Sequence, residues 1–255
     1  MKYLAALILL LVAASPLCGS TAFFYGGDLD LSDPNQNGLA NETDAIVGGN
    51  PYGAATYQNF VTSSVVVTGL FTNDLMSDSL MVPATAKSVP TAYWEIRSGV
   101  SEGNGGTLIA SGTAVDAKTR TGRSDFGYNE YRNQVGGLSV SLASGTYWFA
   151  VVPQAVNNSP GRSFNSDTDG LNGIGTQIDN QQFWNSAFFG ANFTNANNEG
   201  AFRTFSSGAL TACSEGEACS LAGLANVPEP SSLVMLCTGM FGIAAAARRR
   251  FSLNS

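Results

Sequence analysis

Between residues 23 and 225 the chain shows no helical periodicity of useful length, and that constrains its fold more than any other feature. Apolar residues come instead in short runs rich in β-branched and aromatic side chains, separated by glycine and polar turns. The stretch 64–71 (SVVVTGLF), the alternating Tyr93-Trp94-Glu95-Ile96-Arg97, and Leu108-Ile109-Ala110 leading into Ser111-Gly112 are each strand length. Leu138-Ser139-Val140-Ser141-Leu142 alternates strictly, Ser144-Gly145 turns, and 146–152 forms an aromatic-rich strand that Pro153 stops. This last pair predicts a hairpin with one buried face. Residues 187–193 and 201–205 supply further strands, divided by an Asn-rich loop at 195–199. The expected fold class is all-β: a β-sandwich of jelly-roll-like type. No fixed period recurs, which disfavours a solenoid.

Both ends of the chain differ from this body. Lys2 followed by an apolar run over 3–14 has the length and charge of a secretory signal, and Ser20-Thr21-Ala22 places small residues for cleavage before Phe23; a cut after Ser20 is the alternative. At the other end, 231–247 is apolar and spans roughly 26 Å as a helix, slightly short of a hydrocarbon core of about 30 Å. Arg248, Arg249 and Arg250 close it and act as a basic stop that stays cytoplasmic. The expected order is signal peptide 1–22, exported β domain 23–210, linker 211–226, sorting and membrane segment 227–250 with its helix at 231–247, and cytoplasmic tail 251–255.

Val227-Pro228-Glu229-Pro230-Ser231, the apolar run and the arginine cluster together resemble the PEP-CTERM sorting signal of Gram-negative bacteria, a tag also labelled an ice-binding protein C-terminal domain. The resemblance implies handling by an exosortase, a membrane-embedded cysteine transpeptidase that cuts near Val227, Pro228, Glu229 and Pro230. It implies anchorage in the inner membrane through the C-terminal helix, then release to the cell surface or medium, in the company of exopolysaccharide and biofilm. Two prolines keep the backbone extended ahead of the helix, which suits a processing site. The body also looks similar to a recurrent ectodomain of these proteins, through Gly27-Asp28, the stretches 37–42 and 94–100, and 138–148. That likeness implies no activity.

Charge and composition narrow the function classes. Residues 23–225 hold 18 acidic and 8 basic side chains, a net charge of −10, which disfavours nucleic acid as a partner. Histidine is absent, so serine triads of the usual kind, His-ligated zinc and imidazole acid–base chemistry are excluded. Cys213 and Cys219 flank Ser-Glu-Gly-Glu-Ala; in an oxidising compartment they predict a disulfide worth about 2.4 kcal/mol by loop closure, the alternative being free thiols in a linker.

The candidate cofactor is calcium. Asp33, Asn35, Asn37, the Leu39 carbonyl, Asn41 and Asp44 fall at calcium-loop positions 1, 3, 5, 7, 9 and 12, with Gly38 at the sharp turn. Only Asp33 is charged among the first three, and position 12 is Asp rather than Glu; an Asx-rich surface loop is the competing reading. A weaker match starts at Asn165-Ser166-Asp167-Thr168-Asp169-Gly170 and ends on Thr176. Tyr93, Trp94, Tyr147, Trp148 and Trp184 suit either a sugar-stacking surface or a core, and alternation lets at most half of them share a face. The expectation is a non-enzymatic exported surface or matrix protein with exopolysaccharide as a candidate partner. The alternative is a secreted glycan hydrolase using a carboxylate pair drawn from residues such as Glu95, Glu102 and Glu130.

Overall fold

The computed structural model describes residues 21–31, 38–43, 53–77, 90–154, 162–176, 182–196, 205–206 and 208–212. All of them fall in one compact unit, Ser20–Cys219. The strands are β1 (Thr21–Tyr25), β2 (Ala55–Thr62), β3 (Val65–Met76), β4 (Thr91–Ser98), β5 (Thr107–Val115), β6 (Thr119–Asp125), β7 (Tyr128–Leu142), β8 (Gly145–Pro153), β9 (Ser163–Asn165), β10 (Asp167–Thr168), β11 (Phe183–Ser186), β12 (Ala191–Asn195), β13 (Phe205–Ser206) and β14 (Gly208–Ala212). No α-helix occurs among the described residues.

Two six-stranded sheets carry the unit. Sheet I runs β1-β14-β3-β7-β6, with β9 also paired to β3; sheet II runs β12-β11-β2-β8-β4-β5. Every strand pairing in them is antiparallel. Period-2 alternation, reset by the bulge between Val67 and Gly69 in the β3–β7 pairing, sends Phe24, Val67, Leu70, Val135 and Leu142 of sheet I into one buried cluster with Phe60, Trp94, Ile96, Phe149 and Val151 of sheet II. Phe60 sits at its centre, with the rings of Phe23, Phe24, Tyr147 and Phe149 at 5.8–6.0 Å. Sheet II is buried on its other face as well, where Tyr57, Trp148, Val152, Phe183 and Phe193 pack together.

The hairpin expected between 138–142 and 146–152 is not formed. β7 pairs with β3 and β6 in sheet I, whereas β8 pairs with β2 and β4 in sheet II. Residues 143–144 therefore turn a corner from one sheet to the other. The link 63–64 between β2 and β3 turns the same corner beside it, since Thr62 pairs with Gly145 and Val65 with Leu142. A strand–turn–strand pattern reads alike for a hairpin and for a corner, because both need alternating strands and a tight polar link. A tight hairpin forms instead at β6–β7, where Phe126 and Gly127 take φ of 51° and 80°, as a two-residue primed turn requires. Pro153 does end β8, as expected. Within 187–193 only the last residues are strand: 187–190 is a turn, with Gly190 at φ 71°. Gly112 does not end its strand, which runs on to Val115; a Cβ there would lie 3.2 Å from Trp94 Nε1, so the glycine makes room for the indole.

Candidate functional site: a buried polar layer around Asp74

Along β3 the same alternation places Leu70, Thr72, Asp74 and Met76 on the inner face, opposite Val135 and Asn133 of β7. The interior thus passes from apolar at one end to polar at the other. Asp74 is fully buried. Its Oδ1 accepts hydrogen bonds from Asn41 Nδ2 at 2.9 Å and Asn165 Nδ2 at 3.5 Å, and its Oδ2 accepts one from Asn133 Nδ2 at 2.5 Å. Asn133 Oδ1 accepts from Lys118 Nζ at 2.8 Å, Lys118 is ion-paired with Asp116, and Asp116 Oδ1 accepts from the Gln134 N–H at 2.9 Å. Burial pushes the Asp74 carboxyl up to about 8, against the pull of the Asn41 and Asn133 amides and of Lys118. Burial likewise raises Asp116, opposed first by Lys118.

Asn41 joins the two sheets through this layer. Its Nδ2 donates to Asp74 in sheet I and, at 2.9 Å, to the Val151 carbonyl in sheet II, while its Oδ1 accepts from the Thr56 N–H at 3.3 Å. The neighbouring Leu39 carbonyl accepts from the Asn165 N–H at 2.8 Å. Gly38 has its own reason to be glycine: a Cβ there would stand 2.4 Å from the Asn165 carbonyl oxygen. Glu42 bonds the Ser163 N–H and pairs with Arg162. Of the calcium-loop set, Leu39 and Asn41 are thus tied into the fold, and Asp33, Asn35, Asn37 and Asp44 lie outside the described residues. In the weaker match, Asn165 joins the Asp74 layer. There Thr168 Oγ1 and Asp169 Oδ1 bond the backbone N–H two residues on, at 3.0 and 2.9 Å, as the Asx-turn reading expects.

Two further polar clusters lie on the outer faces. On sheet I, Arg123 bonds Asp28 Oδ1 at 2.7 Å and Glu130 Oε2 at 2.6 Å, Thr121 Oγ1 adds a bond to Glu130, and Tyr25 and Asn172 donate to Asp28. Burial works to raise Asp28, but Tyr25, Asn172 and Arg123 hold it below the ordinary carboxylate value. On sheet II, Glu95 accepts from Tyr57, from Tyr93 at 3.0 Å, and from Arg97 through Nε at 2.8 Å and Nη2 at 3.2 Å. Burial and the Glu95 charge push the Tyr57 hydroxyl well above its ordinary value.

These contacts bear on the two chemical expectations. Glu95 and Glu130 sit on opposite outer faces, each neutralised by an arginine, while Glu102 accepts the Asn195 N–H in the β4–β5 loop. The aromatic set divides as alternation requires: Trp94 and Tyr147 pack on the inter-sheet core, and Tyr93 and Trp148 on the other face of sheet II. Trp184 donates to the Ala40 carbonyl at 3.0 Å. The Asp74 layer itself escaped the sequence reading. Its signal was Asn73-Asp74 inside an otherwise apolar strand, matched by Glu130 and Arg132-Asn133 in the partner strand.

Outside this body, residues 226–250 match the PEP-CTERM protein-sorting motif. The chain therefore carries the sorting signal that its Pro-Glu-Pro, apolar run and arginines resemble. That signal marks an exported protein sorted by exosortase, a membrane enzyme, and implies anchoring in the membrane before processing. Val227, Pro228, Glu229, Pro230, Arg248, Arg249 and Arg250 all fall within the matched stretch. They lie outside the described residues, as do the expected helix at 231–247, Cys213, Cys219 and residues 1–20 of the expected signal peptide at 1–22. No curated protein and no solved structure matches the chain.

Proposed function

We propose that this chain is a non-enzymatic, exported surface or matrix protein whose body is a jelly-roll-like β-sandwich, held in the inner membrane by its C-terminal helix until exosortase processing delivers it to the cell surface or the medium. The sorting motif at 226–250 is the observation that carries this reading. The sandwich is supported by the shared core of the two sheets and by links that pass from one sheet to the other, among them β2–β3, β5–β6 and β7–β8, whose residues are all described. The non-enzymatic reading is supported by the state of the buried carboxylates. Asp74, Glu95, Asp116 and Glu130 are each held by amides, tyrosines, lysine or arginine, an arrangement suited to a rigid scaffold. The processed protein is proposed to associate with the host's exopolysaccharide. Co-sedimentation of the purified protein with that polymer tests the association. Retention in the pellet supports it, and a protein that stays in the supernatant with every polymer fraction removes it. Release of reducing sugar from the same polymer would instead favour the hydrolase.

A further inference from the structure

Lys118 and Asn133 stand opposite one another on neighbouring strands. Lys118 directly precedes β6, whose Thr119 pairs with Arg132 of β7, so the next register position sets Lys118 beside Asn133. Asn133 in turn pairs with Thr72 of β3, which puts Asp74 two residues along on the same inner face. Water is excluded from all of them. Asp74 and Asn133 are 0% exposed, and the side chains of Lys118 and Asp116 are 3% and 0% exposed. An ion pair is the usual reason for a lysine buried so deeply, and Asp116 supplies one. That pair does not account for the second contact, in which Lys118 Nζ reaches the Asn133 carboxamide oxygen at 2.8 Å.

The carboxamide is fixed from both ends. An ammonium has only N–H groups to offer, so the amide oxygen faces Lys118, and Nδ2 faces Asp74 at 2.5 Å from its Oδ2. The carbonyl carbon Cγ lies one C=O bond beyond the oxygen, no further than about 4 Å from Nζ. An amine, a carbonyl carbon, a carboxylate on the amine and a carboxyl on the amide nitrogen are thus lined up in a dry interior. Burial pushes the Asp74 carboxyl up to about 8, so at neutral pH it holds a proton to give. Burial also raises Asp116, which makes it the better base toward the ammonium it touches.

We propose that Lys118 and Asn133 become joined by an intramolecular amide bond, formed by the folded chain acting once on itself, with Asp116 as the base and Asp74 as the acid. Asp116 takes a proton from the Lys118 ammonium, and the free amine attacks Asn133 Cγ. Asp74 gives its proton to Nδ2 as the Cγ–Nδ2 bond breaks, then takes the surplus proton from Nζ and ends protonated as it began. The Asp116 proton departs with the ammonia as ammonium. One C–N bond forms and one breaks, so neither oxidant nor reductant is needed. Fixed contact replaces collision, and water, the competing nucleophile, is kept out. The product retains one N–H and one carbonyl for the two carboxyl groups beside it. It fastens the start of β6 to β7 just ahead of the irregular pairing between Arg120 and Ser124. Neither the sorting signal nor any polymer enters this chemistry.

The test is a tryptic map of the purified full chain in detergent. Trypsin cuts after Arg97, Arg120, Arg132 and Arg162, which places the two side chains on separate peptides, 98–120 and 133–162. The native chain is expected to yield them as one branched species, lighter than their sum by one ammonia, about 17 Da, and uncut after Lys118. Lys118→Arg and Asp74→Asn should each return 133–162 as a linear peptide. Linear 133–162 from the native chain overturns the proposal, and so does Asn133 recovered as aspartate without a link. A branched species that persists in Asp74→Asn overturns the role given to Asp74.

Discussion

Replacing Asn41 with alanine removes in one step the side chain that ties Asp74 of sheet I to Thr56 and Val151 of sheet II. Three hydrogen bonds are lost at a residue that is 1% exposed, so water does not simply take its place. A neutral bond of this kind contributes about 0.5–1.5 kcal/mol, and a buried partner left unsatisfied costs about 1–3 kcal/mol. Asp74 keeps Asn133 as a donor, which moderates the loss, so the expected sum is about 3–4 kcal/mol. For a body of this size that lowers the melting temperature by roughly 6–16 °C. The assay is thermal unfolding of the full chain in detergent by circular dichroism at neutral pH, run once in saturating calcium and once in chelator. The deficit should be the same in both, because the lost partners are protein atoms. A drop below about 2 °C would refute the reasoning. So would a deficit that appears only in calcium, which would return Asn41 to the ligand set with Asp33, Asn35, Asn37, Leu39 and Asp44.

Three other outcomes follow from the same contacts. Asp74 in the folded chain is raised to about 8 from 3.8, so the fold retains a proton that the unfolded chain gives up; its contribution is full below pH 4 and is lost as pH rises through 8. Stability should therefore fall over that window by up to about 1.4 kcal/mol per pH unit, and Asp74→Asn should flatten the slope; an identical slope in the variant contradicts this. Phe60→Ala, at the centre of the inter-sheet aromatic cluster, should cost about 3–5 kcal/mol in denaturant unfolding, and a loss under about 1 kcal/mol would mean that the ring is not the keystone of that core. Glu95→Gln keeps the shape but removes the charge facing Arg97 and two tyrosines; the Tyr57 hydroxyl should then titrate lower, and an unmoved ultraviolet titration would contradict its assigned environment.

Strand content, the corner residues and the division of the aromatic set were legible in the sequence because alternation and glycine or proline punctuation are local signals. Residues 65–71 of β3 and 146–152 of β8 follow from the β-branched and aromatic runs and from Pro153, whereas 72–76 of β3, which include Asp74, do not. The sheet to which each strand belongs was not legible: 143–144 looks the same whether it closes a hairpin or crosses between sheets, and only the long-range pairing of Thr62 with Gly145 and Val65 with Leu142 decides. Asn41 was singled out for its oxygen and its spacing to Asp33. Its partners Thr56, Asp74 and Val151 lie 15, 33 and 110 residues away, so no local pattern could show that its amide is spent inside the fold. The sorting segment is the opposite case, since order and composition over 226–250 carry its meaning without any tertiary contact.

Mass spectrometry of the C-terminus of the endogenous protein, taken separately from membranes, cell surface and medium, tests the central claim most directly. The account predicts that surface and medium forms end near Val227, Pro228, Glu229 or Pro230, and that the intact form ending in Ser255 is confined to membranes. Surface or secreted protein that retains Arg248, Arg249 and Arg250 would contradict it.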